Sequence, residues 1–128
     1  MNGRSASTWI LLLLGIGGTV NGLIMLFASE PWFASIAADT GPFNVHLVRD
    51  VGAAYVTSGL ASVWAARTPH WRTPLAAAAA LFLGLHGLIH VEEVLSGVQP
   101  PVHLLEDFPG VYLPALLLCA IALRARKA

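Results

Sequence analysis

Apolar residues along this chain fall into four long blocks, at about 8–27, 44–67, 73–95 and 108–124, separated by short polar or proline-containing connections. A stretch of roughly 20 apolar residues is what a helix needs to cross a bilayer core of about 30 Å. Each block is therefore predicted to be a spanning helix. The fourth is interrupted by Pro109 and Pro114, and the VHLLED turn before it is expected at the membrane surface or folded over the mouth of the helices. Residues 28–43 carry Pro31, Gly41 and Pro42 and read as a loop. Within it Trp32, Phe33 and Ile36 suit a short helix at headgroup level, where aromatic side chains settle. Pro74 fits the first turn of the third helix, and Gly97, Pro100 and Pro101 end it. Short connections make successive helices antiparallel, so the predicted fold is all-α, an integral membrane four-helix up-down bundle forming a single transmembrane domain.

Composition strengthens the membrane reading. The chain has 128 residues, 56% of them hydrophobic and only 11% charged, with a mean hydropathy of +0.71. Soluble domains carry about 25% charged residues, so this chain is poorly supplied to cover a water-facing surface. An apolar N-terminal segment also describes a signal peptide, with Ala28 as a conceivable cleavage position. The length of the first block, and Gly18 and Gly22 as a small-xxx-small pair, favour a retained span that packs closely on a neighbour. The lone Cys119 sits in an apolar run and forms no intrachain disulfide. A net charge of zero, with no basic run or phosphate-binding glycine loop, gives no reason to expect nucleic acid as a partner.

The charges orient the bundle. Arg4, Arg67, Arg72, Arg124, Arg126 and Lys127 map to one membrane side, which the positive-inside rule makes cytoplasmic along with both termini. Glu30, Asp39, Asp50, Glu92, Glu93, Glu106 and Asp107 map to the other side, and only Arg49, next to Asp50, breaks the segregation.

Four of the five histidines gather at that acidic end. The third block, AAAALFLGLHGLIHVEEVLSG, places His86, His90 and Glu93 on one helical face and turns Glu92 away. On the second helix His46 and Asp50 share a face, and rise per residue puts Asp50 near the depth of His90 on the antiparallel neighbour. Asn21 lies near the same level, and His103, Glu106 and Asp107 flank the start of the fourth helix. Ionisable groups inside a membrane are costly, so they face the bundle interior and mark a site. A His-x3-His pair aims two imidazoles at one point, and a carboxylate completes a donor set suited to zinc, iron, copper or manganese. The expected metal ligands are His46, Asp50, His86, His90 and Glu93, with His103 and Asp107 as further candidates.

Other readings of the same residues stand beside this one. His46, Glu92, Glu106 and Asp107 could be solvated groups at the helix mouths, Arg49 and Asp50 a structural ion pair, and His86 a core histidine bonded to Asn21 or Tyr55. A bis-histidine haem would pair His46 with His90, although the crowd of carboxylates disfavours its apolar body. Without a metal, Asp50, His86, His90 and Glu93 would form a proton relay in a transporter or an accessory subunit. With one, redox or hydrolytic chemistry on a lipid or small-molecule substrate would follow. A second copy of the chain or another membrane protein is a conceivable partner. In length and layout, with the strings FNVHLVRDVGAAY, LHGLIHVEE and LEDFPGVYLPALLL, the chain resembles the DoxX-like small membrane proteins. That resemblance implies a four-helix fold in a bacterial inner membrane.

Overall fold

The computed structural model describes residues 3–125. Arg126 and Lys127, assigned above to the basic end, lie outside them, as does the side chain of Arg4. The described chain is all-helical: α1 (Gly3–Phe27), α2 (Ser29–Ile36), α3 (Val45–Arg67), α4 (Arg72–Leu95), α5 (His103–Glu106) and α6 (Leu113–Ala125). A single 3-10 turn, Pro69–Trp71, joins α3 to α4, and a π-turn, Phe108–Tyr112, leads into α6. The four long elements fall where the apolar blocks predict them, and the loop after α1 contains the expected short helix. Two segments are long and apolar enough to cross a membrane, Ala6–Phe27 and Pro69–Leu95; Phe108–Arg124 is apolar but shorter. α3 is long enough, but His46, Arg49, Asp50 and Arg67 make it more polar than the other two.

Packing is uneven. α1 lies most intimately on α3, α4 on α6, and α3 on α4 joins the two pairs, whereas α1 and α6 barely meet. The α1–α3 contact is built on glycines seven residues apart on each helix. A Cβ at Gly22 would meet the Gly52 carbonyl at 2.5 Å, and one at Gly15 would meet the Gly59 carbonyl at 2.8 Å. Backbone thus rests on backbone. Gly18, half of the pair expected from sequence, is looser, its nearest neighbour being the Gly59 Cα at 3.7 Å. The seven-residue spacing, not the four-residue one, carries the close approach.

Two arginines cap helix ends. Arg49 donates from Nε to the Leu26 carbonyl at 3.1 Å, at the C-terminus of α1. It therefore serves α1 and makes no ion pair with Asp50, which bonds His46 instead. Arg72 donates to the Ala65 and Ala66 carbonyls at the end of α3 and to Thr8 on α1. Cationic side chains on terminal carbonyls satisfy orphan acceptors and oppose the helix dipole. Asn44 caps the start of α3, its side-chain oxygen accepting from the His46 and Leu47 amides.

The main apolar core lies at the Arg72 end, where Leu11, Ala65, Ala76, Ala79, Leu118 and Ile121 are buried together. Outward, large apolar side chains remain exposed along the helices, among them Leu13, Ile16, Phe27, Trp64, Leu81 and Leu116. Only 22% of each of the two long apolar windows is buried inside the protein.

Gly59→Ala should destabilise the protein by about 1–3 kcal/mol, because its Cβ has only backbone and Thr19 to displace. Gly17→Ala, whose Cβ meets nothing within 4 Å, should not lower the thermal midpoint. Thermal unfolding of the two variants in mild detergent checks the contrast; equal midpoints would remove the close-packing account.

Candidate metal centre

The polar end is assembled by three local devices. At the end of α4 the Val98 amide donates to the Glu93 carbonyl and the Gly97 amide to that of Val94. Gly97 sits at φ +79°. This is a Schellman cap, and it needs a residue that tolerates the left-handed region. It reverses the chain, and the Gln99 amide adds a second bond to the Glu93 carbonyl. The reversal brings α5 back over α4. The second device is Gln99, buried, whose side chain donates to the Asp39 carbonyl and ties the loop after α4 to the loop after α2. The third is the π-turn. Pro114 has no N–H for the Gly110 carbonyl, and the Leu113 amide instead reaches back five residues to Phe108. The widened turn lays the Tyr112 ring over Gly87, where a Cβ would meet ring carbons at 3.1 and 3.2 Å.

These devices bring His103 and Asp107 onto the histidines of α4. His90 Nδ1 lies 2.7 Å from Asp107 Oδ2, with both side chains less than one-fifth exposed. The other ring nitrogen of His90 is 3.3 Å from His86 Nε2. His103 Nε2 approaches the same Asp107 oxygen at 3.8 Å, and the His90 and His103 rings stack with centroids 6.2 Å apart. One donor atom each from His90, His103 and Asp107 falls within 4.8 Å of the others. His103 is buried, and its Nδ1 lies 3.3 Å from Glu106 Oε2 and 3.7 Å from Asp39 Oδ2, without hydrogen-bonding geometry. The Tyr112 hydroxyl is likewise buried and unpartnered. Buried polar atoms without partners are uncommon in folded proteins, and both of these adjoin the cluster. His86 is the deepest member, edge-on to Tyr55 and stacked on Phe82.

The expected ligands divide. His86, His90, His103 and Asp107 come together. His46 and Asp50 form a pair of their own at 3.2 Å, with side chains 85% and 64% exposed. Asp50 comes no closer to the cluster than the rim of a shallow groove of about 360 Å³ that His86 also lines. The carboxylate that meets His90 is thus Asp107 and not Asp50. Glu93 is half-buried on α4 without a side-chain bond among the described residues, Glu92 is exposed, and Asn21 accepts from the Trp32 indole at 2.9 Å, which draws α2 back onto α1. Tyr55 and Tyr112 are the site neighbours that sequence reasoning undervalued. The i, i+4 relation of Tyr112 to Phe108 gave no signal, whereas Tyr55 is nine residues beyond His46 on the inner face of α3.

Chemically, ligands on a tetrahedral ion at 2.0–2.1 Å sit roughly 3.3 Å apart. The His90–Asp107 and His103–Asp107 separations bracket that value, and with the three donor atoms spread over at most 4.8 Å, rotation of the two rings toward each other would seat an ion. No family model matches the chain, and no curated protein or solved structure is detectably similar to it.

Asp107→Ala should cost about 1–3 kcal/mol, because it leaves the largely buried His90 Nδ1 without its partner. His46→Ala should leave stability unchanged, since both members of its pair face solvent. Chemical denaturation of the two variants tests this; a larger loss in His46→Ala would mean that the wrong pair has been assigned to the structural role.

Proposed function

We propose that this chain is a multi-pass protein of a bacterial inner membrane, with four spans, cytoplasmic termini and one transition-metal ion held at the exoplasmic end by His90, His103 and Asp107. The membrane part is supported by the two apolar helices and by the large apolar side chains they leave exposed. The glycine contacts between α1 and α3 support a retained first span, since a removable leader has no need of them. Orientation follows from charge: Arg67, Arg72 and Arg124 lie at the helix ends opposite the acidic cluster. The layout is also that of the DoxX-like proteins the sequence resembles.

The observation that carries the metal reading is the convergence of three donor groups from α4, α5 and the segment before the π-turn. Two imidazoles and a carboxylate leave coordination positions open, which suits activation of water or oxygen, or polarisation of a carbonyl on a small molecule. His46, the expected haem partner of His90, faces Asp50, which favours an ion over haem. The His86–His90 pair, at 3.3 Å, has the spacing of two metal ligands as well, but no third His, Cys, Asp or Glu joins it among the described residues.

A second reading rests on the continuity of the contacts. His86, His90 and Asp107 form a hydrogen-bonded chain, and His103 and the exposed Glu106 continue it toward the outer surface as close contacts at 3.8 and 3.3 Å that would need small side-chain shifts to become hydrogen bonds. Such a chain can relay protons without a metal. Inward it stops at Phe82, against which His86 stacks, so it serves a one-sided pocket better than a through-path.

Elemental analysis and an absorption spectrum of protein purified without added metal separate these readings. Stoichiometric metal is expected. His90→Gln, His103→Gln and Asp107→Ala should each weaken retention at least ten- to hundredfold, the range seen even for residues that only orient ligands. His46→Ala should keep the metal. Loss in His86→Gln with retention in His103→Gln would move the ion to the inner histidine pair. A Soret band would establish haem, and protein with neither signal would leave the relay.

A further inference from the structure

Because α1 and α6 barely meet, the middle of the molecule contains a cavity of about 340 Å³. All four long helices contribute to its wall, which includes Leu13 and Gly17 on α1, Tyr55 and Ser58 on α3, Leu83 on α4 and Leu118 on α6. Two glycines of its lining, Gly17 on α1 and Gly110 before α6, are exposed. A Cβ at either glycine would meet nothing within 4 Å, so both stand at an open gap and not at a helix contact.

We propose that this cavity binds a single hydrocarbon chain bearing a small neutral head with a carbonyl or hydroxyl oxygen, entering sideways from the bilayer. The proposal rests on membrane insertion of the bundle and not on the metal. Three features select the ligand. The volume is at the low end of small-molecule pockets, enough for one chain and not for a two-chain lipid. The lining carries no charged side chain, which excludes a phosphate or carboxylate head for want of a counter-ion. Its polar side chains, Asn21, Tyr55, Ser58 and Ser62, are all neutral, and Ser62 is already spent on the Ser58 carbonyl. Two of them lie toward the histidine end: Tyr55, and the Asn21 amide, whose N–H makes only a long contact of 3.8 Å to Met25 sulfur. A donor pair of this kind suits an acceptor oxygen. The head would then lie beside Tyr55, whose ring packs edge-on against His86, so cavity and cluster share a wall.

The test uses the full chain in nanodiscs with a diazirine-bearing monoacylglycerol, photolysed and mapped by peptide mass spectrometry. Saturable labelling is expected on the peptides around Leu13–Asn21 and Tyr55–Ser62, displaced by excess unlabelled monoolein or by farnesol. Displacement by monoolein alone identifies an acyl ligand and by farnesol alone a prenyl ligand; either supports the cavity. Gly17→Phe and Gly110→Leu, on different segments, should each lower saturable labelling roughly tenfold, equivalent to about 1.4 kcal/mol. Metal content should not change in either. Labelling that does not saturate, or that is equal on the exposed Leu85–Ile89 segment outside the cavity, would overturn the proposal. Should a variant not fold, the wild-type map and competition still decide. Extraction of the protein from membranes by alkaline carbonate would instead overturn the membrane reading on which the proposal stands.

Discussion

The hydrogen bond between the His90 ring and the Asp107 carboxylate, at 2.7 Å, is the contact on which the polar half of this protein depends. A largely buried carboxylate and imidazole are each costly when left without a partner, about 1–3 kcal/mol, and each here supplies the other's partner. Everything around the bond serves to place its two ends. The Schellman cap at Gly97 turns the chain, Gln99 fastens the turn to the Asp39 loop, and the π-turn before α6 sets Asp107 and Tyr112 against α4. The opposite half has a simpler basis. There the Gly15–Gly59 backbone contact, small buried alanines and the Arg72 guanidinium draw α1, α3 and α4 together without buried acids.

The helices were legible in the sequence because apolar blocks, prolines and glycines report on local structure. The blocks at 8–27, 44–67 and 73–95 differ from α1, α3 and α4 by a few residues, mostly at the first N-terminus. The seven-residue glycine spacing was also present in the sequence, but Gly18 and Gly22 masked it with a shorter and more familiar interval. His86 and His90 were legible for the same local reason, being one helical turn apart. Asp107 was legible only as a neighbour of the site. Depth arithmetic assumes straight helices, and on that assumption Asp50 faces His90. The chain reversal after Gly97 carries a later acid into that place, and no count of residues along a helix can anticipate it. Arg49 shows the same limit: adjacent to Asp50 in sequence, it turns to the end of another helix, since successive residues on a helix do not face each other.

Site and cavity have a common design. Tyr55 lines the cavity and touches His86, so one side chain borders both the apolar space within the bundle and the polar cluster at its mouth. A lipid-soluble molecule seated in the first would present its head to the second. An ion bound at His90, His103 and Asp107 would meet that head without passing through the apolar half, where α4 inward of His86 carries no titratable residue before Arg72. The arrangement suits a one-sided reaction or binding centre at a membrane surface better than a path across it.

The central claim is that His90, His103 and Asp107 form the metal seat, with His46 outside it. NMR of the histidine ring nitrogens in nanodiscs during titration with zinc tests it most directly. The account predicts that the His90 and His103 rings shift together and saturate at one ion per chain, while His46 stays unchanged. Saturable shifts at His46, or none at His90, would contradict it.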